Sequence, residues 1–305
     1  NACPSVSHWG RGSMCGYAYM IRSQCRGARP NHPAWLTIDA PVVDPSGPRG
    51  RRGTTPVSDA SDWAVPPARA VATEAEVHVW RVSVEQPSAD VDQHSLALNQ
   101  DERKRAGRFV FERDRRRFAV TRGVLRAILG RYLRVAPSAI DLVYNSHGKP
   151  ALRDGSTDCD LRFNVSHASE LALIAITLGR EVGVDIERVR KKFASEQVAA
   201  SFFSPAEVAA LRALPAARRC AGFFNCWTRK EAYVKARGRG LSLPLHSFNV
   251  SLAPGEPAAL LATADDPAES SRWSLREVTP GPDYVAALAV KGHGWRMQCW
   301  QWPEP

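Results

Sequence analysis

Two acidic residues at the end of an apolar segment have the type and spacing of metal ligands. Asp185 and Glu187 are two positions apart in the sequence Val-Gly-Val-Asp-Ile-Glu, which begins at Val182. Because alternate residues of a strand point to the same face, both carboxylates would project from one side. Neighbouring carboxylates repel each other unless a cation lies between them, and their hard oxygen atoms suit Mg²⁺. Taken alone, the pattern is more typical of strand-end carboxylates that face water.

A predicted helix further along the chain carries a third carboxylate and two lysines. Glu231 and Lys235 are four residues apart and share a helix face, with Trp227 one turn earlier and Lys230 next to Glu231 in the sequence. Glu231 could complete a metal site, and the two ammonium groups could bind phosphate oxygens. The alternative is a surface ion pair worth about 0.3–0.5 kcal/mol with Trp227 in the core, and the helix alone favours this interpretation.

A serine–histidine pair follows another predicted strand. Ser166 and His167 end the segment Phe-Asn-Val-Ser-His, and Gly148-Lys149-Pro150 precedes it. The hydroxyl and imidazole could hydrogen-bond to phosphate. A serine hydrolase is disfavoured, because a nucleophile adjacent in sequence to its histidine is poorly placed and the chain has no G-x-S-x-G turn. A polar pair that merely ends a strand fits equally well.

Arginines dominate a basic block before and within the first long predicted helix. The chain has a formal net charge of +10, which predicts an acidic partner such as nucleic acid, a polyphosphate ligand or an acidic protein. Guanidinium groups bind phosphate in bidentate geometry. No zinc finger or aromatic RNA-binding signature accompanies the block, and a solvated helix face explains most of it. Its members are Arg103, Arg105, Arg108 and the cluster from Arg113 to Arg117.

Hydrophobic periodicity predicts an α+β chain whose two halves meet near residue 180. A capping box with proline at the first helical position predicts a helix after Ser204 and includes Glu207. Long helices are expected over 114–134 and 216–237, the second ending at Gly238. Strands are expected over 77–84, 161–165, 171–177, 182–186, 247–252, 273–278, 284–290 and 296–302.

The bulk composition limits the possible classes of protein. Residues 1–75 are rich in Pro, Gly, Ser and Arg, so we expect disorder or a loose extension there. Seven scattered cysteines without a C-x-x-C pair indicate reduced thiols and a cytoplasmic protein. The sequence contains no apolar run of about 18 residues, so it predicts no membrane-spanning helix.

The order and spacing of five motifs are more specific than any one of them. The motifs GKP, FNVSHA, GVDIE, FFSPAE and WTRKEAYVKARGRGLSLPL occur in this order between Val77 and Trp302. This set resembles the Sfp-type 4′-phosphopantetheinyl transferases, and the last two motifs are the most specific. The resemblance leaves the first 70-odd residues unexplained. It implies a pseudo-dimer of two similar α+β halves, residues 76–180 and 181–302, with the active site in the cleft between them.

The resemblance also implies a set of site residues. The metal ligands would be Asp185, Glu187 and Glu231. The residues that contact the phosphates and nucleotide of coenzyme A would be Lys149, Pro150, Ser166, His167, Lys230 and Lys235, with Arg103 and Arg117 as the nearest matches to further basic positions. Candidate bases for the attacking hydroxyl would be Glu231, a water on the metal, and Glu207, although the capping box already accounts for a glutamate at 207.

The chemistry implied by the resemblance is transfer of the phosphopantetheine arm of coenzyme A to a carrier-protein serine. It would depend on Mg²⁺ and release 3′,5′-ADP. The partners of the basic surface would be acidic carrier proteins of the acyl, polyketide or peptidyl type. We expect these carrier proteins to belong to secondary metabolism. We expect a monomer that binds neither nucleic acid nor membrane. The alternatives are a metal-dependent phosphohydrolase that acts on coenzyme A or a related nucleotide and a basic nucleic-acid-binding protein.

Overall fold

The structure, a computed structural model, describes residues 63–67, 69–155, 159–191 and 193–302. These residues form six α-helices: α1 (Ser88–Leu96), α2 (Gln100–Ala106), α3 (Glu112–Leu133), α4 (Glu196–Phe202), α5 (Pro205–Ala213) and α6 (Ala216–Arg237). They also form eleven strands: β1 (Glu76–Ser83), β2 (Leu142–Tyr144), β3 (Pro150–Leu152), β4 (Leu161–Ala168), β5 (Leu171–Leu178), β6 (Val182–Arg188), β7 (Phe248–Val250), β8 (Leu260–Thr263), β9 (Trp273–Val278), β10 (Tyr284–Lys291) and β11 (Arg296–Trp302).

The chain repeats one arrangement twice. Each half consists of a strand, two short helices, a 22-residue helix, a short hairpin and a long hairpin. The first half contains β1–β5 and α1–α3, and its long strands lie in the order β1-β5-β4. The second half contains β6–β10 and α4–α6, and its long strands lie in the equivalent order β6-β10-β9. The expected α+β pseudo-dimer is therefore confirmed.

The last strand does not follow the expected division of the chain. That division places residues 181–302 in the second half, but β11 pairs in parallel with β1 and becomes the outer strand of the first sheet, β11-β1-β5-β4. The C-terminal strand thereby covers an edge of β1 that would otherwise expose unpaired backbone groups. It also ties the end of the chain to the first half.

Ordered contacts begin before residue 76. Ala64 forms a parallel bridge with Trp300, and its amide donates to the Cys299 carbonyl at 3.1 Å. The Trp63 indole donates to the Thr279 carbonyl at 2.8 Å. The expectation of a loose segment over 1–75 is therefore corrected for its last residues, and residues 1–62 lie outside the described part of the chain.

Three apolar clusters form the core of the described residues. One lies between α3 and the first sheet, and a second lies between α6 and the second sheet. The third joins the sheets to each other, and it includes Val79 of β1, Leu173 of β5, Val184 of β6 and Leu288 of β10, each with 0% exposed surface. A core of this kind fixes the relative position of the two sheets, and hence of the residues at their junction. None of the described helices is long and apolar enough to cross a membrane.

Candidate functional site

Strand β6 and helix α6 bring the three predicted carboxylates into one buried layer. Alternation along β6 directs Val184 into the apolar cluster between the sheets, so Asp185 and Glu187 share the opposite face, which α6 covers. Asp185 and Glu231 have no exposed surface, and Glu187 is 3% exposed. Burying a carboxylate is costly unless a cation or hydrogen bonds compensate, so three in one layer indicate a cation-binding region.

A close backbone contact sets the spacing between β6 and α6. A Cβ atom added at Gly183 would lie 2.1 Å from the Ala232 carbonyl oxygen and 2.3 Å from the Ala236 amide nitrogen. Only glycine leaves room for the helix at this distance. The contact lies on α6 between the turns that carry Glu231 and Lys235, two residues from Asp185 on the strand.

Lys235, Asp185 and Ser166 form a closed triangle at the centre of the site. The Lys235 ammonium lies 2.6 Å from Asp185 Oδ1 and 2.8 Å from Ser166 Oγ, and the serine hydroxyl donates to the same carboxylate oxygen at 3.0 Å. Burial raises the pKa of Asp185, while the charge of Lys235 and the hydrogen bonds oppose this effect. Asp185 Oδ2 is buried and accepts no hydrogen bond from any described residue. It is therefore an oxygen atom available for a further positive ligand.

The described residues do not form a complete metal cage by themselves. No three His, Cys, Asp or Glu side chains among them converge closely enough to hold a metal ion. Mg²⁺, however, is usually bound through one or two carboxylates together with substrate phosphates and water. The open Asp185 Oδ2 and the neighbouring buried carboxylates could therefore bind a metal ion. Oxygen atoms of a bound polyphosphate would complete the coordination of that ion.

Side chains of β4 connect the two halves beside this triangle. Asn164 Oδ1 accepts a hydrogen bond from the Val184 amide at 2.9 Å, and Ser166 Oγ accepts one from the Ile186 amide at 3.4 Å. Both amides belong to β6, which forms the edge of the second sheet. The sequence reasoning missed Asn164; its only signal in the sequence is an amide side chain between the apolar Phe163 and Val165.

His167 of β4 and Arg117 of α3 lie within electrostatic range of each other. Desolvation lowers the pKa of His167, and the positive charges of Lys235 and Arg117 lower it further. The side chain keeps exposed surface, so its loss of hydration is only partial, but both effects favour a neutral ring at pH 7. Arg117 is held by Glu85, with Nη2 2.6 Å from the carboxylate. The structure thus brings His167 near both Arg117 and the Lys235 ammonium.

Lys149 connects the first half to the C-terminal end of α6. Its ammonium donates to the carbonyls of Val182 and Ala236 at 3.1 and 3.2 Å, and Asn145 in the same turn donates to the Gly238 carbonyl at 2.9 Å. Desolvation lowers the pKa of Lys149 to about 8, although a nearby glutamate opposes the shift. A cation is favourable at a helix C-terminus. Pro150 is buried at the start of β3.

Lys230 and Glu207 lie apart from the other predicted residues. The Lys230 ammonium is buried, 2.7 Å from Glu207 Oε2 and 2.7 Å from the Leu245 carbonyl. Consecutive residues of a helix differ in direction by about 100°, so Lys230 cannot share the face of Glu231. The expected positions of Lys230 at the pyrophosphate and of Glu207 as a base are thereby corrected. The predicted capping box is present, because the Glu207 carboxylate accepts a hydrogen bond from the Ser204 amide. The same carboxylate also accepts one from the Val250 amide at 2.8 Å.

The arginines of the basic block differ in exposure and in their partners. Arg103 is exposed on α2 and donates to the Leu98 carbonyl, so no contact places it with the carboxylates. Two arginines of α3 outside the block, Arg122 and Arg126, are buried around Glu102, and Arg126 Nε lies 2.7 Å from that carboxylate. Among the described arginines of this block, Arg117 is the one that acts electrostatically on His167.

Comparisons with known proteins agree with this geometry. Residues 83–178 match the family of the N-terminal domain of 4′-phosphopantetheinyl transferases, and residues 181–289 match the 4′-phosphopantetheinyl transferase superfamily. The chain is 41% identical over 240 residues to the 4′-phosphopantetheinyl transferase HetI of Nostoc, covering 79% of this chain and 98% of that protein. It is 30% identical over 155 residues to the transferase Sfp of Bacillus subtilis, covering 51% of this chain and 66% of that protein. A putative transferase of Synechocystis is 30% identical over 197 residues, with coverages of 65% and 77%.

Proposed function

The chain is a member of the 4′-phosphopantetheinyl transferase superfamily, and we propose how its residues carry out the transfer. A serine hydroxyl of an apo carrier protein would attack the β-phosphate of coenzyme A. The bond between this phosphorus and the bridging oxygen would break, and 3′,5′-ADP would leave. The observation that supports this assignment best is the buried triangle of Lys235, Asp185 and Ser166, with an open carboxylate oxygen, at the junction of the two halves.

We assign the metal site to Asp185, Glu187 and Glu231. Their burial in one layer between β6 and α6 supports this assignment, as does the open Oδ2 atom of Asp185. Bound Mg²⁺ would supply charge neutralisation for the pyrophosphate oxygens. The pyrophosphate itself would complete the coordination, which agrees with the incomplete cage formed by the described side chains alone.

Lys235 would bind the phosphate oxygens directly. Its ammonium forms an ion pair with Asp185, and 15% of its side chain is exposed to the cleft. When a cation binds Asp185, the Lys235 donors can turn towards an incoming phosphate. A donor placed in this way stabilises the negative charge that develops on the transferred group, because it needs little reorganisation during the reaction.

The nucleotide would lie along the rim formed by the first half. Arg117 and the neutral His167 offer donors to a phosphate, and Lys149 lies at the turn before β3. An anion near Lys149 would raise its pKa from about 8 and so restore its full positive charge. Pro150 would form part of the wall next to this turn.

Glu231 is the remaining protein candidate for the base that removes the proton from the serine hydroxyl. It lies in the buried layer on α6, one turn from Lys235. The carboxylate of Glu207 accepts hydrogen bonds from two amides and an ion pair from Lys230, so it has no access to the cleft. Both walls of the cleft come from one chain, so a second copy is not needed to complete the site, and we retain a monomer as our proposal.

The acidic partner would be the carrier protein. The chain carries a net charge of +10, and opposite charges on two proteins accelerate their association. We propose acyl, polyketide or peptidyl carrier proteins of secondary metabolism as the substrates.

Mass spectrometry of a panel of apo carrier proteins tests the proposal. We expect a gain of one phosphopantetheine in the presence of coenzyme A and Mg²⁺, and no gain when the metal is chelated. Asp185→Ala should abolish the gain, whereas Glu196→Ala, which removes an exposed carboxylate paired with Arg212, should not. Degradation of free coenzyme A without carrier modification would instead indicate a phosphohydrolase. Salt-sensitive DNA binding without modification would indicate a nucleic-acid-binding protein.

A further inference from the structure

The buried contacts of Lys230 leave its ammonium group no donor for a ligand. An ammonium has three protons to donate. Here it contacts the carbonyls of Leu245 and Phe248 and one carboxylate oxygen of Glu207. The side chain has no exposed surface, and the ring of Phe248 covers the ammonium at 4.3 Å from the ring centroid. A phosphate could reach this group only if the core opened.

The first half of the chain contains an equivalent pair. Arg126 of α3 lies 2.7 Å from Glu102 and donates to the carbonyls of Pro137 and Ile140, just before the short hairpin β2–β3. Lys230 likewise bonds carbonyls that lie just before or at the start of the hairpin β7–β8. Arg126 and Lys230 are each the fifteenth residue of their 22-residue helices.

The glutamates of the two pairs are also equivalent. Glu102 and Glu207 each occupy the third position of a short helix and close a capping box there, with Asn99 and Ser204 as the respective capping residues. Each glutamate is 3% exposed. The duplication therefore repeats the whole arrangement of contacts, which consists of a capping glutamate, a cation from the long helix and two carbonyls of the following segment.

We propose that Glu207 and Lys230 are positioning residues that hold α6 in the rotation needed by the catalytic cleft. This inference rests on the proposed function of Glu231 and Lys235. The recurrence of the pair in the first half, where the long helix carries none of the proposed metal ligands, shows that the fold uses it to fasten a long helix to the elements around it. In the second half the residue after the anchored lysine is Glu231, so the same anchor sets the direction of a proposed metal ligand.

The position of α6 matters because Lys235 and the helix backbone meet β6 at short distances. Lys235 lies 2.6 Å from Asp185, and the helix backbone touches Gly183. A displacement of about 1 Å in a catalytic group can reduce the rate by roughly a hundredfold. Loss of the anchor on the opposite side of α6 should therefore reduce the rate of transfer more than the affinity for coenzyme A.

Lys230→Met tests this proposal, and Arg126→Met is its matched control in the first half. Both variants leave a buried glutamate without its main cation, so both should lower Tm by at least about 5 °C. At a temperature where both are folded, Lys230→Met should lower kcat by about tenfold or more, with the calorimetric Kd for coenzyme A within about twofold of wild type. Arg126→Met should leave kcat within about twofold.

Three results would overturn the proposal. An increase of about tenfold or more in Kd for coenzyme A with an unchanged Tm would make Lys230 a phosphate ligand. Equal kcat values for both variants and the wild type would make the pair a simple contribution to stability. A large loss of kcat in Glu207→Gln with unchanged Tm would make Glu207 a base.

If Lys230→Met does not fold, the variant Glu207→Gln tests the same proposal. The amide keeps the shape and one acceptor of the glutamate but removes the charge that faces Lys230. We expect a lower Tm, a lower kcat and an unchanged Kd for coenzyme A. If wild-type protein modified no carrier, the proposed function would fail; Tm and Kd would still report whether Lys230 binds coenzyme A.

Discussion

Substituting Gly183 by alanine would place a methyl group in the contact between β6 and α6. The new Cβ would lie 2.1 Å from the Ala232 carbonyl oxygen, about 1.3 Å closer than the 3.4 Å of an ordinary contact. The second clash, at 2.3 Å, involves the Ala236 amide. Both neighbours are backbone atoms, so no side-chain rotation relieves the overlap. The helix has to move away from the strand by about 1 Å.

This displacement has two measurable consequences. Overpacking of a well-filled core costs typically 1–3 kcal/mol, and backbone clashes belong at the upper end, so we expect about 3 kcal/mol and a Tm lower by about 6–12 °C. The same movement separates Lys235 and Glu231 from Asp185. A shift of about 1 Å in catalytic groups predicts a loss of about a hundredfold in kcat.

Thermal unfolding followed by circular dichroism and the carrier-modification rate at 20 °C together check this reasoning. Gly107→Ala is the control, because its Cβ would lie 3.6 Å from the nearest atoms and its φ of −65° suits any residue. It should change stability by less than about 0.5 kcal/mol and leave the rate unchanged. A Gly183→Ala protein with wild-type Tm and wild-type rate would refute the proposed contact between β6 and α6.

Three further substitutions test separate parts of the site. Asp185→Asn removes the carboxylate that faces Lys235 and should lower the transfer rate by at least about a hundredfold, with Tm within a few degrees; substantial remaining activity would contradict the metal assignment. At pH 8 about half of Lys149 is unprotonated, and a bound polyphosphate would raise its pKa, so coenzyme A binding should take up protons. Calorimetry in buffers of different ionisation enthalpy measures this uptake, which should disappear in Lys149→Met; equal uptake in the variant would assign it to another group. Asn164→Ala leaves the buried Val184 amide without its acceptor and should cost about 1–3 kcal/mol in urea unfolding, and an unchanged unfolding midpoint would show that the bond is unimportant.

Long periodic elements were predicted well because their signals are local. The expected helix over 216–237 and its end at Gly238 agree with α6, whose cap has a φ of 64°. The expected helix over 114–134 agrees with α3 to within two residues. Short elements such as α1, α2, α4 and the hairpin β2–β3 were missed, since three to nine residues provide too little periodicity.

The contribution of sequence and of tertiary structure can be separated at the site. Residue type and spacing in β6 were enough to place Asp185 and Glu187 on one strand face, because that alternation is a property of the strand alone. The same holds for Glu231 and Lys235 on one helix face. Neither pattern could show that the strand and the helix touch at Gly183 and so bring Lys235 to 2.6 Å from Asp185.

Lys230 shows most clearly what depends on three dimensions. Its place in the motif beside Glu231 suggested a phosphate ligand, because sequence proximity says nothing about the direction of a side chain around the helix. Its ion-pair partner, Glu207, belongs to another helix, and the carbonyls that accept hydrogen bonds from its ammonium belong to the segment after α6. Packing between elements distant in sequence decided that Lys235 lies against Asp185 where α6 covers β6, and that Lys230 lies in the core.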